Sequence, residues 1–386
     1  MERILITGGA GFIGSSLALA LLEKGCEVRV LDNLNPQVHG NTGSSYLYNL
    51  IKGKAECIIG DVRNVSDITK ALRGADVVIH LAAETGTGQS MYEIVRYVET
   101  NDVGTATLLD HIVNTKNKVR KLIIASSRAV YGEGKYKCDI HGIVYPRNRL
   151  KKNLLAGKFE CLCPICGKDI KVLPTDEESK IQPNSIYGLT KYQQEAMAIL
   201  TGNAVGLPVV AFRMQNVYGP GQSLSNVYTG ILSIFSSLIR SGTSLNIFED
   251  GQESRDFIYL SDIVEAFLLA IDDIADQSQI YNLGSGVPIN IKEVAQTLTA
   301  GFLSNIDCIV TGLFRLGDIR HIYADTDKIK KILGFAPKIS FKEGIGNYIK
   351  WVNEQNNLID TAAFPKSIQE MQRKNLLFKA SSLKSE

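Results

Sequence analysis

Tyr187 and Lys191, in Ser-Ile-Tyr-Gly-Leu-Thr-Lys, lie one helical turn apart and are the pair best suited to moving a proton. A free phenol titrates near pH ~10, too high for a base at neutral pH, and an ammonium beside it favours the phenolate. At i and i+4 the two side chains share one helix face. Ser127, in Ala-Ser-Ser-Arg-Ala-Val-Tyr-Gly, ends an apolar run and can hydrogen-bond a reacting oxygen. A lone Y-x-x-x-K recurs by chance on amphipathic helices, so its weight depends on what precedes it.

What precedes it is Thr7-Gly-Gly-Ala-Gly-Phe-Ile-Gly14. Gly8, Gly11 and Gly14 fall between a strand run and a helix, the context that makes a glycine pattern a dinucleotide loop rather than a plain turn. Glycine lets the backbone turn tightly and approach a pyrophosphate. The helix opening at Phe12 and Ile13 offers unpaired N–H groups and a positive dipole end. Asp32, with Asn33 beside it, sits near the ~20-residue offset at which an acid accepts from the adenosine ribose. A carboxylate there repels a 2′-phosphate, which favours NAD over NADP; the plainer alternative is a solvated acid at a strand end. Asp61 and Val62 are placed to meet the adenine, and Leu81, Ala82 and Ala83 would let the backbone near the cofactor. A positive nicotinamide ring would act with Lys191 on the phenol. Such a site passes a hydride between a sugar or alcohol carbon and the nicotinamide.

These residues need a scaffold, and the chain supplies one. Runs at Arg3–Thr7, Glu27–Asp32, Ala55–Gly60, Asp76–His80 and Lys121–Ala125 read as strands. Helical spacing at Phe12–Leu22, near Val65–Leu72 and over a long helix near Met91–Asn114 separates them. The alternation predicts an α/β fold, a Rossmann-like doubly wound parallel sheet covered on both faces. The NAD-binding domain is expected over 1–133 and 181–222, an insertion over 134–180, a smaller α/β substrate domain mainly over 223–353, and a polar tail over 354–386.

With 386 residues, 45% hydrophobic, 21% charged and a net charge of +2, the chain reads as globular, with no reason to expect nucleic acid or a membrane surface as partner. No apolar stretch approaches a membrane span, and the glycine-rich N-terminus is the wrong shape for an export signal, so a cytoplasmic location is expected. The seven cysteines are then thiols or metal ligands rather than disulfides. Cys138-Asp-Ile-His141 and Cys163-Pro-Ile-Cys166 are two ligand pairs about 20 residues apart, the spacing of a closed Cys3His structural zinc site. Cys161 could compete as a ligand; reduced thiols on a loose loop are the alternative. Cys26, Cys57 and Cys308 read as core thiols.

Glu84 and Thr85, just past the fourth strand, could line a sugar or simply pack a loop. As an ordered set, the motifs above, with Asn101-x-x-Gly-Thr105, Asp250-Gly-x-x-x-Arg-Asp-Phe257 and Tyr281-Asn-Leu-Gly-Ser-Gly286, resemble the extended short-chain dehydrogenase/reductase family over about residues 4–330. The resemblance implies a nucleotide-diphosphate sugar substrate, oxidation at C4 with tightly held NAD, and a homodimer joined through a four-helix bundle. It places Asn101 at the cofactor, Asn216 and Arg255 at the substrate diphosphate, and Arg315 or Arg320 as a clamp. Arginine suits phosphate because its planar fork matches the oxygens; a surface ion pair is the alternative for each. Family dehydratases carry an Asp-Glu pair after the catalytic Ser/Thr, whereas Arg128 and Ala129 follow Ser127, so elimination lacks a proton carrier. That absence resembles the nucleotide-sugar 4-epimerase branch. The stretch from Tyr218 to Asn226, with the cysteine insert, is most similar to 4-epimerases acting on dTDP-L-rhamnose. A reductase or dehydratase of the same family, and an NAD-binding, zinc-containing sensor or adaptor without catalysis, remain as alternatives.

Overall fold

The computed structural model describes residues 2–40, 45–224, 226, 228, 230–355 and 363–381. Seven short, mostly apolar runs form one parallel sheet. They are β1 (Arg3–Thr7), β2 (Glu27–Asp32), β3 (Glu56–Ile59), β4 (Val77–His80), β5 (Lys121–Ser127), β6 (Val209–Met214) and β7 (Gln279–Leu283), in the order β7-β6-β5-β4-β1-β2-β3. Ile4 of β1 registers with Val28 of β2 on one side and with Val77 of β4 on the other. Alternate residues feed opposite faces, as the pleat requires. Ile4 and Ile6 join the cluster under the Phe12–Glu23 and Leu260–Asp272 helices, and Leu5 joins the cluster under the Gly104–Asn114 and Ile186–Val205 helices. Strand order reverses between β1 and β4, and the crevice beyond such a reversal is where doubly wound sheets take ligands.

The Ile186–Val205 helix, which carries Tyr187 and Lys191, is anchored by charge as well as by packing. Glu195, 2% exposed, accepts from Arg213 of β6 (Nη2 to Oε1, 2.6 Å) and from the Ser126 hydroxyl of β5 (2.6 Å). A buried ion pair is tolerable only when its remaining valences are filled, and Arg213 also donates to the Tyr131 hydroxyl and the Glu177 carbonyl. A third apolar cluster lies among the Ile231–Arg240, Ile291–Gly301 and Phe341–Glu354 helices, forming the smaller lobe.

Four expectations are changed or filled in. The helix expected over Met91–Asn114 is a short α-turn at Ile94–Tyr97, a π-helical stretch at Val98–Val103 and an α-helix at Gly104–Asn114. Apolar periodicity does not distinguish one wide turn from its α-helical neighbours. Within 223–353, expected to be mainly substrate domain, the Leu260–Asp272 helix packs on the main sheet and β7 is one of its strands. The insert is more than a loop: it has a three-stranded antiparallel sheet of Tyr136–Cys138, Gly142–Val144 and Lys171–Val172 with its own small core. The polar tail holds a helix at Ala363–Arg373 and a strand at Leu377–Lys379 paired antiparallel with Leu313–Arg315; 356–362 and 382–386 lie outside the described residues. Ser225, in the Tyr218–Asn226 stretch, lies outside them too. Among the described residues no helix is long and apolar enough to cross a membrane.

Candidate active site

One cleft of about 590 Å³ runs from the ends of β1, β2 and β4, past β5, into the smaller lobe. Its first end is made by the glycine loop. Gly8 has φ +68°, and a Cβ there would lie 2.7 Å from the Ala82 nitrogen; one on Gly14 would lie 2.5 Å from the Gly8 carbonyl. Those two glycines are required by chain packing. A Cβ on Gly11 meets only the Gly8 carbonyl, at 3.2 Å, and Gly11 lines the cleft. The helix that starts at Phe12 has no side-chain cap, so its first N–H donors remain for an anion. Asp32 lies at the rim, accepting from the Ala10 and Leu34 nitrogens (3.0 and 2.9 Å), with buried His39 3.6 Å away. This cradle of bare glycine backbone, helix start and strand-end acid fits a dinucleotide.

Phe12, Ile13, Asn33, Val62, Leu81, Ala82, Ala83, Glu84 and Thr85 share this wall, and Ser127, Tyr187, Lys191, Asn216, Arg255 and Arg315 continue it. Three expected contacts are not on it. Asp61 is turned to Arg63 (Nη2 to Oδ2, 2.8 Å) and Asn33 (3.1 Å), which hold its carboxyl down to about 2, while its neighbours Gly60 and Val62 line the cleft. Asn101 is buried and works as a fastener: its Oδ1 accepts from the Glu84 nitrogen (2.7 Å) and its Nδ2 donates to Thr190 (2.9 Å). Arg320, expected as a diphosphate clamp, is wholly buried behind the wall among carboxylates. Glu84 reaches the wall, but its carboxylate is spent on Asn35 (2.9 Å) and Arg96 (2.7 Å) rather than free for a sugar.

The residues expected to handle a proton meet where the Tyr187 helix lands on the end of β5. Ser185 caps the helix by accepting from the Gly188 nitrogen (3.0 Å), and the Tyr187 nitrogen donates to Ser90 Oγ (3.0 Å). A Cβ on Gly188 would lie 2.6 Å from the Ala129 carbonyl, so only glycine lets the helix sit this close to the Arg128–Tyr131 turn. Burial pushes the Tyr187 phenol up, and the Ser127 hydrogen bond and the Arg128 guanidinium pull it back. Arg128 is thus a cation acting on the phenol that the sequence pattern did not point to. Lys191 donates to the Ala125 carbonyl (2.8 Å), and burial lowers it to about 7, with Asp102 opposing.

Sequence reasoning missed several wall residues. Arg128 was noticed only as the absence of an acid, yet it lines the cleft, donates to Asn216 (3.1 Å), and is depressed to about 9 by burial and by Arg255. Two guanidiniums brought to one wall suit an anion of more than one charge. Asp102, in the π-helical stretch, faces Lys191 with one buried oxygen unbonded. Phe364, Ser367, Ile368 and Met371 of the tail also line the cleft; their apolar spacing was legible but set in a polar stretch.

In the insert, the four expected metal ligands converge. The ligand atoms of Cys138, His141, Cys163 and Cys166 all lie within 4.8 Å of one another. Cys138 Sγ and Cys163 Sγ are each 3.6 Å from His141 Nδ1, and Cys138 Sγ is 3.9 Å from Cys166 Sγ. A tetrahedron with Zn–S near 2.3 Å has edges of about 3.8 Å. Cys161 stands apart, its thiol against Glu133 and Tyr136. Cys308 is exposed rather than a core thiol.

The sequence profile of the NAD dependent epimerase/dehydratase family matches residues 4–148 and 163–284. The dTDP-L-rhamnose 4-epimerase of Burkholderia thailandensis is 36% identical, over 92% of this chain and 96% of that protein. The UDP-glucose 4-epimerase of Thermotoga maritima, solved with UDP-glucose, superimposes with a TM-score of 0.74 at 28% identity, covering 92% and 99% of the two chains. MoeE5, solved with UDP-glucuronic acid and NAD, gives 0.72 at 26% identity, covering 91% and 99%.

The Lys191 value of about 7 lies below its unfolded value, so the unfolded chain holds the extra proton between the two. The penalty for burying the ammonium is full below about pH 7 and fades as pH rises towards ~10.4. Lys191→Met should therefore raise the melting temperature of the cofactor-free protein at about pH 6.5 by about 2–4 °C per kcal/mol of relief, and bring little gain at about pH 10. Thermal melts at both pH values check this; equal shifts would remove the lysine charge as the cause.

Proposed function

The chain belongs to the NAD dependent epimerase/dehydratase family, and on that premise we propose that it inverts C4 of a nucleotide-diphosphate hexose, a dTDP-6-deoxy-hexose, through a transient 4-ketone. The observation that carries this reading is the junction of Tyr187, Ser127 and Arg128 on one cleft with the dinucleotide cradle. NAD supplies a reversible hydride acceptor there. The chain's own part is to move a proton and hold the sugar.

Tyr187 takes the C4 hydroxyl proton as the ketone forms and returns it when the opposite face is reduced. Ser127 holds the same oxygen, and Arg128 keeps the phenol from rising further. Lys191, close behind, steadies the cofactor side. Arg128 fills the position where a dehydratase would carry its acid, which favours inversion over elimination. Arg255, Arg315 and Asn216 are assigned to the diphosphate. Phe364, Ile368 and Met371 offer apolar surface to a deoxy sugar.

The Cys138, His141, Cys163 and Cys166 cluster is assigned a structural zinc ion. Gly142 (φ +68°) and Gly167 (φ +70°) turn the chain immediately after each ligand pair, and four protein ligands leave no position for a substrate. Two copies are proposed to pair through exposed apolar residues on neighbouring helices, Val95 (68% exposed), Ile94 and Val98 on one side and Leu189 and Tyr192 on the other. Seven cysteines, none in a disulfide, suit the reducing cytoplasm.

Purified protein incubated with dTDP-, UDP- and GDP-hexoses, with no added NADH, should invert C4 of one class without net cofactor turnover; turnover only after NADH is added, with NADH consumed mole for mole, would make it a reductase. In the same assay Tyr187→Phe should retain NAD and lose about 10²–10⁴-fold in turnover, and near-normal turnover would take Tyr187 out of the mechanism. Elemental analysis should find one zinc per chain, and a metal-free protein with an ordered insert ends that assignment. Light scattering should return twice the chain mass; a monomer at working concentration removes the dimer.

A further inference from the structure

Arg320 is wholly buried, yet it meets carboxylates from two parts of the chain. It pairs with Asp250 (2.7 and 2.9 Å) and Glu249 (3.0 Å) beside the cleft, and with Glu160 of the insert (2.9 and 2.5 Å). Glu160 also faces His321 Nε2 at 3.1 Å. Arg149, likewise from the insert, grips Glu249 with both terminal nitrogens (2.8 and 2.7 Å) and donates to the Asp318 carbonyl (2.8 Å).

The wall arginines rest on the far side of this network. Arg320's own carbonyl accepts from Arg255 Nη1 (3.0 Å) and from the Ser254 nitrogen (3.1 Å). Arg315 Nε donates to Asp318 Oδ2 (2.9 Å), and the Asp318 backbone is the one that Arg149 holds. A guanidinium held by several carboxylates at once has little freedom, so the backbone it belongs to is fixed as well. The position of Arg255, and through Asp318 that of Arg315, thus depends on side chains of a segment that contributes nothing to the cleft wall.

We infer that the cysteine insert is a brace for the diphosphate-binding arginines, with Glu160 as the positioning residue that acts on Arg255 through Arg320. The inference rests on the assignment of Arg255 and Arg315 to a nucleotide diphosphate. Glu160 lies three residues before Cys163, so an ion that closes the two ligand turns also fixes the loop from which Glu160 reaches Arg320. Metal loading of the insert and affinity for the substrate diphosphate are then two readings of one arrangement. Neither Glu160 nor the metal touches substrate, cofactor or the reacting carbon.

The test uses the full chain with NAD bound and dTDP and UDP as probes, titrated calorimetrically into the wild type, Glu160→Gln, and wild type after zinc chelation. Glu160→Gln keeps the shape and removes the charge. It should weaken binding of the preferred nucleotide by about two- to thirtyfold and raise KM to match, with kcat and NAD affinity little changed. Chelation should weaken the same nucleotide in the wild type, and add little in Glu160→Gln. Should the Gln variant fold poorly, Glu160→Asp, which keeps the charge at shorter reach, carries the comparison and should recover part of the affinity. Unchanged nucleotide binding in a folded variant overturns the brace, as does a loss shared equally by NAD. If the wild type binds neither nucleotide, the assignment of the cleft fails and takes the inference with it.

Discussion

The structure turns on how closely one helix sits against the end of one strand. Tyr187 can lie beside Ser127 only because Gly188 presses onto the Ala129 carbonyl, where any side chain would collide. Three polar ties hold that approach: Lys191 on the Ala125 carbonyl, Glu195 on Ser126 and Arg213, and the Tyr187 nitrogen on Ser90. In general a misplacement of about 1 Å at a reacting group can cost about a hundredfold in rate. The buried Glu195–Arg213 pair is thus better understood as a registration device than as a source of net stability.

Several residues that look like binding motifs serve instead as fasteners. His80 is buried between Thr7 (2.7 Å) and Thr105 (2.9 Å), and Gln194 of the Tyr187 helix reaches the same Thr105 (2.7 Å). Burial lowers His80 to about 3, so it stays neutral and ties β1, β4 and two helices together. The two C-terminal motifs are likewise one unit. Asp256 accepts from the Ser285, Gly286 and Ala324 nitrogens, and a Cβ on Gly284 would lie 2.5 Å from its carboxylate. A motif can therefore mark a joint in the scaffold as readily as a contact with ligand.

What was readable in the sequence follows from how local its causes are. The strand-helix alternation, the glycine loop and the two ligand turns of the insert each arise within a few residues, and each is present in the structure. Arg320 was misassigned because its partners lie 70 and 160 positions away, and nothing near it foretells a buried ring of acids. Arg128 went unrecognised for a related reason: its role comes from Arg255 and Tyr187 converging from elsewhere. The π-helical turn escaped because one extra residue per turn hardly disturbs an apolar stripe. In the tail, read as a loose helix or disordered, the strand Leu377–Lys379 escaped because its partner Leu313–Arg315 lies far away in sequence.

That tail bears on how the protein can be handled. The strand Leu377–Lys379 lies beside Leu313–Arg315, and Met371 is among the cleft-lining residues. Because Met371 and Arg315 both line the cleft, bulk added to this segment would crowd it. The amino end is the safer attachment point: β1 begins there at Arg3, and strand starts lie at the opposite edge of the sheet from the glycine loop.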